Sequence, residues 1–354
     1  MYGVKIERVN LKNLVEREEV ESFLRGFDLL LDQDVDYTII IRDREARGAR
    51  IVATCSKAKS VLKCFAVIEE HRGEGITALL ISTMIDKLFS QGIYHSFIFT
   101  KPVLVPIFSG LNFKLIHGTA EVALLENGIY DIHQAIEEMI VRYSLGDGEK
   151  VALVMNCNPF TLGHYYLIEE AAQNNQEVLV FIVEEDQSLF PFKVRYELVC
   201  QGVGHLENVR VLPSGEYIIS STTFPSYFIK EEGERLKAYA ELDASIFGAH
   251  FCKRFKITKR YVGEEPFCRV TKAYNEALKN VLPGYGVELR EIKRKAFGEL
   301  AISASRVREL LKAGVDQSQQ NLLNNLLPKV TLEFLATSLG KEIVEKLKSS
   351  YSRN

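Results

Sequence analysis

The 354-residue chain is 47% apolar and 26% charged, the balance of an ordinary globular protein, and its length favours two domains over one core. A formal net charge of -3 supplies no electrostatic reason to expect nucleic acid as a partner. No apolar run approaches the roughly 20 residues that span a bilayer, and the opening MYGVKIERVN has no signal-peptide core, so no membrane and a cytoplasmic location are expected.

Residues 1–125 read as a first α/β unit. Val4–Val9 is a candidate strand, and Leu14–Leu31 has apolar residues at helical intervals. Strands are expected at Val35–Ile41, Arg50–Cys55 and Val61–Ile68, followed by the turn Glu69–Thr77 and an amphipathic helix from Ala78 to about Phe89. His95–Thr100 is a further strand and Pro102–Ser109 a short helix. A strand pair near Phe113–Ile116 and Ala120–Leu124 closes the unit. The turn between strand and helix holds Arg72, Gly73 and Gly75, whose backbone N–H groups suit a phosphate. With Ser109–Phe113 as a late Gly-Phe element, this order resembles the acetyltransferase (GNAT) superfamily. The resemblance implies a coenzyme A or pantetheine cradle at Arg72, Gly73 and Gly75. Thr77 replaces the last small residue of that signature and crowds the loop, so a purely structural domain stays open beside it. Residues 126–149 read as a connecting segment, helical over Tyr130–Tyr143 and broken by the turn at 144–148.

From 150 to 314 strand and helix alternate, as a doubly wound parallel sheet requires. Val151–Met155 is an apolar, β-branched run. A turn through Asn156, Cys157, Asn158 and Pro159 leads to a helix from about Leu162 to Ala172. Strands follow at Glu177–Val183, Val209–Leu212, Lys256–Val262 and Val287–Ile292. Helices are expected at Val194–Gly202, Ser226–Tyr239, Thr271–Val281 and Ser303–Leu311. Residues 315–354 read as a small helical cap. Six cysteines without C-x-x-C spacing argue against a zinc site and a disulfide framework. Cys157 reads as a small buried residue at a strand end.

Strand, turn, then Thr161-Leu162-Gly163-His164 at a helix start is a phosphate-binding arrangement, because free N–H groups and the positive dipole end face the anion. Gly163 lets backbone approach closely, and His164 can donate a ring N–H to a phosphate oxygen. The stretch resembles the T/H-x-G-H signature of the nucleotidyltransferase superfamily, with Thr161 in the place of the first histidine. Ile302-Ser303-Ala304-Ser305-Arg306-Val307-Arg308 resembles the superfamily's second element. The resemblance implies that His164 stabilises charge on phosphorus and that Arg308 clamps phosphates with its planar fork. Ser303 and Ser305 would cap the helix or donate to phosphate. The plainer roles are a solvated helix-start histidine and a solvated arginine.

Three further stretches resemble the citrate lyase ligase family: Val183–Asp186 with Ser188, Phe190–Phe192 and Arg195; Glu216–Ser220 with Thr223–Pro225 and Tyr227–Lys230; and Val262–Thr271 with Tyr274 and Asn275. That family implies an enzyme that activates acetate with ATP and Mg2+ as acetyl-adenylate, releasing pyrophosphate. It then acetylates the coenzyme A-derived thiol prosthetic group of the citrate lyase acyl carrier subunit and releases AMP. On this reading His164, Lys230 and Arg308 are catalytic. Met155, Asn156, Asn158, Thr161, Gly163, Arg195, Gly263, Glu265, Arg269, Ser303 and Ser305 join His164 and Arg308 around ATP, and no residue is assigned to a metal. Lys230 and Arg195 are phosphate or carboxylate contacts, or else solvated charges. Glu265 and Arg269 meet nucleotide or metal, or form a loop-stabilising ion pair. The basic run from Arg290 to Lys295 meets an acidic carrier or is a solvated edge. An adenylyltransferase of the phosphopantetheine, FMN or NMN type is the alternative, and an acyl-coenzyme A binding protein with a nucleotide-sensing domain is a second.

Overall fold

The computed structural model describes residues 5–43, 50–184, 188–220, 233–265, 268–298, 300–314 and 317–349. The chain falls into two compact units, Met1–Asp131 and Ile132–Asn354.

The first unit runs β1 (Ile6–Arg8), α1 (Leu14–Arg25), β2 (Tyr37–Arg42), β3 (Ile51–Ala58), β4 (Val61–Val67), α2 (Ile76–Phe89), β5 (His95–Thr100), α3 (Val105–Ser109), β6 (Lys114–Gly118) and β7 (Ala123–Gly128). Its seven strands are ordered β1-β2-β3-β4-β5-β7-β6. All neighbours are antiparallel except β4 and β5, which pair in parallel at Val61/Phe97 and Leu62/Ile98. The apolar run of β2 divides by strand alternation: Ile39 and Ile41 pack with α2, and Ile40 with α1. The expected helix to Leu31 stops at Arg25, because Gly26 caps it and Asp28 turns left-handed at φ 56°. The closing strand pair lies later than expected. Asn112 turns at φ 66° first, so the strands start at Lys114 and Ala123. Residues 126–128 are therefore strand and not connector, and buried Glu126 meets His95 Nε2 at 3.0 Å.

The second unit opens with α4 (Ile132–Arg142), expected as part of a connector. Then come β8 (Lys150–Met155), α5 (Leu162–Gln173), β9 (Val178–Ile182), α6 (Phe192–Val203), β10 (Val209–Pro213), α7 (Glu234–Ile246), β11 (Ile257–Gly263), α8 (Arg269–Val281) and β12 (Glu288–Ile292). Helix α7 runs on through a π-helical turn, Phe247–Cys252, and a last turn, Lys253–Phe255. A two-stranded hairpin, β13 (Ala296–Phe297) and β14 (Leu300–Ala301), precedes α9 (Ala304–Ala313), α10 (Gln317–Leu326), α11 (Lys329–Ala336) and α12 (Ser338–Ser349). The large sheet is fully parallel in the order β10-β9-β8-β11-β12. Strands buried on both faces read as continuous apolar runs, as Val151–Met155 and Val178–Ile182 do. One face of the sheet packs against α5, α6 and the helices from α9 onward. On the other, Phe181 meets Phe247, Phe251 and Phe255 edge-on at centroid distances of 6.2, 6.2 and 5.8 Å. Lys150, one residue ahead of the expected strand, opens β8. Its buried ammonium donates to the carbonyls of Gly146 and Gly148 at 2.5 and 2.7 Å. The expected helix at 226–239 begins at Glu234 among the described residues and continues past Tyr239.

Candidate functional site

In a sheet of this order the winding reverses between β8 and β11, and ligands of such sheets lie outside the carboxyl ends of the strands at that crevice. The turn after β8 is held there from several sides. Asn156 Oδ1 accepts from Ser188 Oγ (3.1 Å) and Arg195 Nη1 (2.9 Å), and Asn158 Oδ1 accepts from the Phe190 N–H (3.0 Å). The Asn158 carbonyl accepts from Arg308 Nη1 at 2.5 Å, and Thr331 Oγ1 donates to the Phe160 carbonyl at 2.9 Å. Each asparagine oxygen is thus taken by a protein donor, which leaves the donating Nδ2 of each amide to meet an anion.

Two residues expected at the ligand belong to the scaffold instead. Arg195 is 0% exposed. Its Nε donates to the Phe190 carbonyl (2.8 Å), and its Nη1 to the carbonyls of Asn156 (2.8 Å) and Val183 (2.7 Å). It is neither a solvated charge nor a phosphate contact, because its guanidinium welds the β8 turn to the exit of β9. Met155 is buried in the core, and its carbonyl accepts from the Val183 N–H at 2.9 Å. Cys157 is buried too, and burial pushes its thiol up to about 12.

Thr161 is the N-cap of α5, and a capping box joins it to His164. The Thr161 N–H donates to His164 Nδ1 (3.1 Å), and Thr161 Oγ1 accepts from the His164 N–H (3.4 Å). Because Nδ1 is the acceptor, the ring proton of the neutral imidazole lies on Nε2. Burial first, then Arg294 and Arg308, hold this histidine down to about 4. It is therefore a neutral donor at physiological pH. The value for kcat/KM reports the free enzyme, so its pH profile should show no acidic limb near 6.5 from His164, only one approaching 4. Linkage fixes a second sign. Between about pH 6.5 and 4 the unfolded chain binds the proton that the folded chain refuses, so stability falls as pH drops through that window. Urea unfolding at pH 7 and 4.5 checks this, with His164→Asn losing less than the parent protein.

Gly163 has a different neighbour from the one expected. A Cβ there would stand 3.0 Å from the Ile302 carbonyl, so glycine is needed where the two signature segments touch. Gly163→Ala gains about 1 kcal/mol of helix propensity while pushing against that carbonyl. The expected result is an unfolding midpoint near that of the parent, with weaker nucleotide binding by titration calorimetry. Ser303 caps α9 by accepting from the Arg306 N–H (3.2 Å), and Ser305 Oγ accepts from Arg308 Nη2 (3.1 Å). Capping is thus the observed role of Ser303, and Ser305 helps aim Arg308.

At the exit of β11, the Gly263 carbonyl accepts from Asn275 Nδ2 at 3.1 Å. Glu265 accepts from the Cys268 N–H (3.1 Å) and from Arg294 Nη2, the loop-stabilising arrangement. Arg269 opens α8 on the surface. Lys230, with Glu185, Asp186, Pro266 and Phe267, lies outside the described residues. Arg294 was not singled out from the sequence, since a basic run reads first as a solvated edge. Asp243 was missed as well. Fully buried, it accepts from the Ile219 N–H (2.8 Å) and the Tyr274 hydroxyl (2.7 Å). It thereby holds Ile219 at φ 44°, an unusual conformation for a β-branched residue. In the first unit Gly73 and Gly75 adopt φ 84° and 78°, and open space surrounds a Cβ built on Gly73. Arg72 Nε donates to the Val67 carbonyl at 3.3 Å.

A capped histidine at the start of α5, faced by Arg308 from α9 across the reversal of a parallel sheet, defines a doubly wound α/β protein of the nucleotidyltransferase type. The family model of the citrate lyase ligase C-terminal domain matches residues 150–335. The citrate pro-3S-lyase ligase of Escherichia coli K12 is 34% identical over 347 residues, spanning 96% of each chain. That of Klebsiella pneumoniae is 34% identical over 337 residues, covering 93% of this chain and 96% of its own. The chain belongs to the citrate lyase ligase family. Among solved structures, a GNAT-family acetyltransferase from Staphylococcus aureus Mu50 is 15% identical with a TM-score of 0.30, covering 36% of this chain and 100% of its own.

Proposed function

We propose that this chain is an ATP-dependent, AMP-forming ligase that activates acetate and acetylates the thiol of the prosthetic group on the citrate lyase acyl carrier subunit. The observation that carries the reading is the convergence of the α5 N-terminus, the neutral His164 donor and Arg308 at the sheet's reversal. In the first step an acetate oxygen attacks the α-phosphorus of ATP. An O–P bond forms, the α–β bridge breaks, and pyrophosphate leaves with acetyl-adenylate bound. In the second, the acceptor sulfur attacks the acetyl carbon, the C–O bond to AMP breaks, and AMP leaves. Negative charge grows on phosphoryl oxygens in the first step, where fixed N–H donors lower the barrier without reorganising. His164 Nε2, Arg308, the first-turn N–H groups of α5 and the amides of Asn156 and Asn158 are those donors.

Among the described residues no group of three or more His, Cys, Asp or Glu side chains is placed to hold a metal ion. Magnesium would come with the triphosphate and offset part of its negative charge. Lys230 keeps the catalytic role its motif implies, and the Arg72–Gly75 turn remains the candidate cradle for a pantetheine phosphate. Among the described residues no helix is long and apolar enough to cross a membrane.

The test is exchange of labelled pyrophosphate into ATP with Mg2+ and no acceptor. Exchange that requires acetate is the expected result. Absence of exchange, with pyrophosphate released once phosphopantetheine is added, overturns the reading in favour of an adenylyltransferase.

A further inference from the structure

The basic run that follows β12, the outermost strand on its side of the large sheet, divides between two directions. Arg294 turns inward, where its Nε donates to the Glu264 carbonyl at 2.6 Å. Lys293, Lys295 and Phe297 are exposed instead, Phe297 to 46%. This is the alternation of an extended run, which puts residues two apart on one side. The backbone holds that run in place. The Lys295 carbonyl accepts from the Ile302 N–H at 2.9 Å, and β13 pairs with β14 just beyond. The exposed side lies at the carboxyl ends of the strands, next to the start of α5. There the Ile302 carbonyl is 3.0 Å from a Cβ built on Gly163, and Lys295 Nζ is 5.3 Å from the centre of the Tyr166 ring of α5. Two ammonium groups and a half-exposed phenyl ring thus flank the mouth of the crevice.

Lysines beside an edge strand can serve simply to keep other strands from pairing with it. That role covers Lys293 and Lys295 but not Phe297, because an exposed phenyl ring at the same edge invites the contact that such lysines repel. An aromatic anchor with charges around it is the make-up of a protein-binding surface, where the ring supplies affinity and the charges steer the encounter. The sign of those charges selects an acidic partner. Position narrows the choice further, since a second copy of the chain seated here would bar an acceptor from the mouth. A thiol that arrives on a protein needs that protein's body to rest on this rim. We infer that the outward side of residues 293–297 is the docking surface for an acidic face of the acyl carrier subunit. The inference rests on the reading of the chain as a ligase whose thiol acceptor is borne by a protein.

The experiment measures AMP release by the full chain while the concentration of the carrier subunit, with its prosthetic thiol in place, is varied. Lys293→Glu, Phe297→Ala and Lys279→Glu are compared with the parent. Lys279 is an exposed lysine near the end of α8, which runs back from the exit of β11, so it controls for net charge at the opposite end of the sheet. Lys295 is left in place, because its ammonium also covers Tyr166 of α5. Lys293→Glu and Phe297→Ala should each raise KM for the carrier by about tenfold while kcat stays near that of the parent. Lys279→Glu should raise KM by less than about twofold. Added salt should raise KM in the parent and do so less in Lys293→Glu. Acetate-dependent pyrophosphate exchange needs no carrier and should be unchanged in all three variants. A parent without that exchange overturns the ligase reading itself. A parent that exchanges and acetylates, with Lys293→Glu and Phe297→Ala keeping its KM, overturns the docking surface alone. Light scattering that shows the parent as an oligomer and these two variants as monomers, with KM unchanged, overturns it in favour of a second copy of the chain.

Discussion

Replacing His164 by alanine is expected to slow acetate-dependent pyrophosphate exchange by about 10²- to 10³-fold, the range seen when one preorganised donor to a developing oxyanion is removed. The imidazole has two separable tasks. On the proposed reading Nε2 donates to the phosphoryl oxygens, while Nδ1 accepts from the Thr161 N–H to complete the cap of α5. Alanine removes both and should also lower stability by about 1 kcal/mol, the usual worth of a cap. Asparagine offers an oxygen that can still accept from Thr161 but places no donor at the position of Nε2. His164→Asn should therefore lose nearly as much rate as His164→Ala while unfolding close to the parent midpoint. Exchange rates and urea midpoints on both variants check this. Equal rates for the parent and His164→Asn would show that Nε2 contributes nothing to the chemical step.

Arg195→Met should be the most damaging change to stability, at about 3–5 kcal/mol. Methionine fills much of the same volume but supplies no donor. The carbonyls of Phe190, Asn156 and Val183 would then be left buried without the partner they have now. Each such group costs roughly 1–3 kcal/mol. Arg195→Lys should recover only part of the loss, since one ammonium on a flexible stem cannot reproduce the fork. Urea unfolding of all three proteins measures this. An arginine that met ATP would behave oppositely, raising KM for ATP when replaced and leaving the unfolding midpoint in place.

Much of the second unit is legible along the chain, for local reasons. Val151–Met155 and Val178–Ile182 are strands because runs that apolar must be covered on both faces. Thr161 and Ser303 are caps because a hydroxyl before a helix reaches an N–H three residues on. The pairing of T-x-G-H with the Ser303–Arg308 element follows from order along the chain alone.

What each polar residue does at the crevice was decided elsewhere. Arg308 bonds the carbonyl of a residue 150 positions away, and Arg294 and Glu265 are 29 apart. No periodicity records such pairs. Arg195 looked like a phosphate or carboxylate contact, or else a solvated charge, and is a fully buried brace of the turn. Glu265 looked like a ligand contact and is the brace for Arg294. Gly163 looked like room for phosphate and is room for Ile302. The sequence by itself determined the alternation of strands and helices, the caps and the two motifs, since these depend on neighbours within about one helical turn. Only the tertiary structure decided which donors point into the crevice and which hold it open. A guanidinium makes the same bonds to a carbonyl, a carboxylate or a phosphate, and the fold alone determines which of them is within reach.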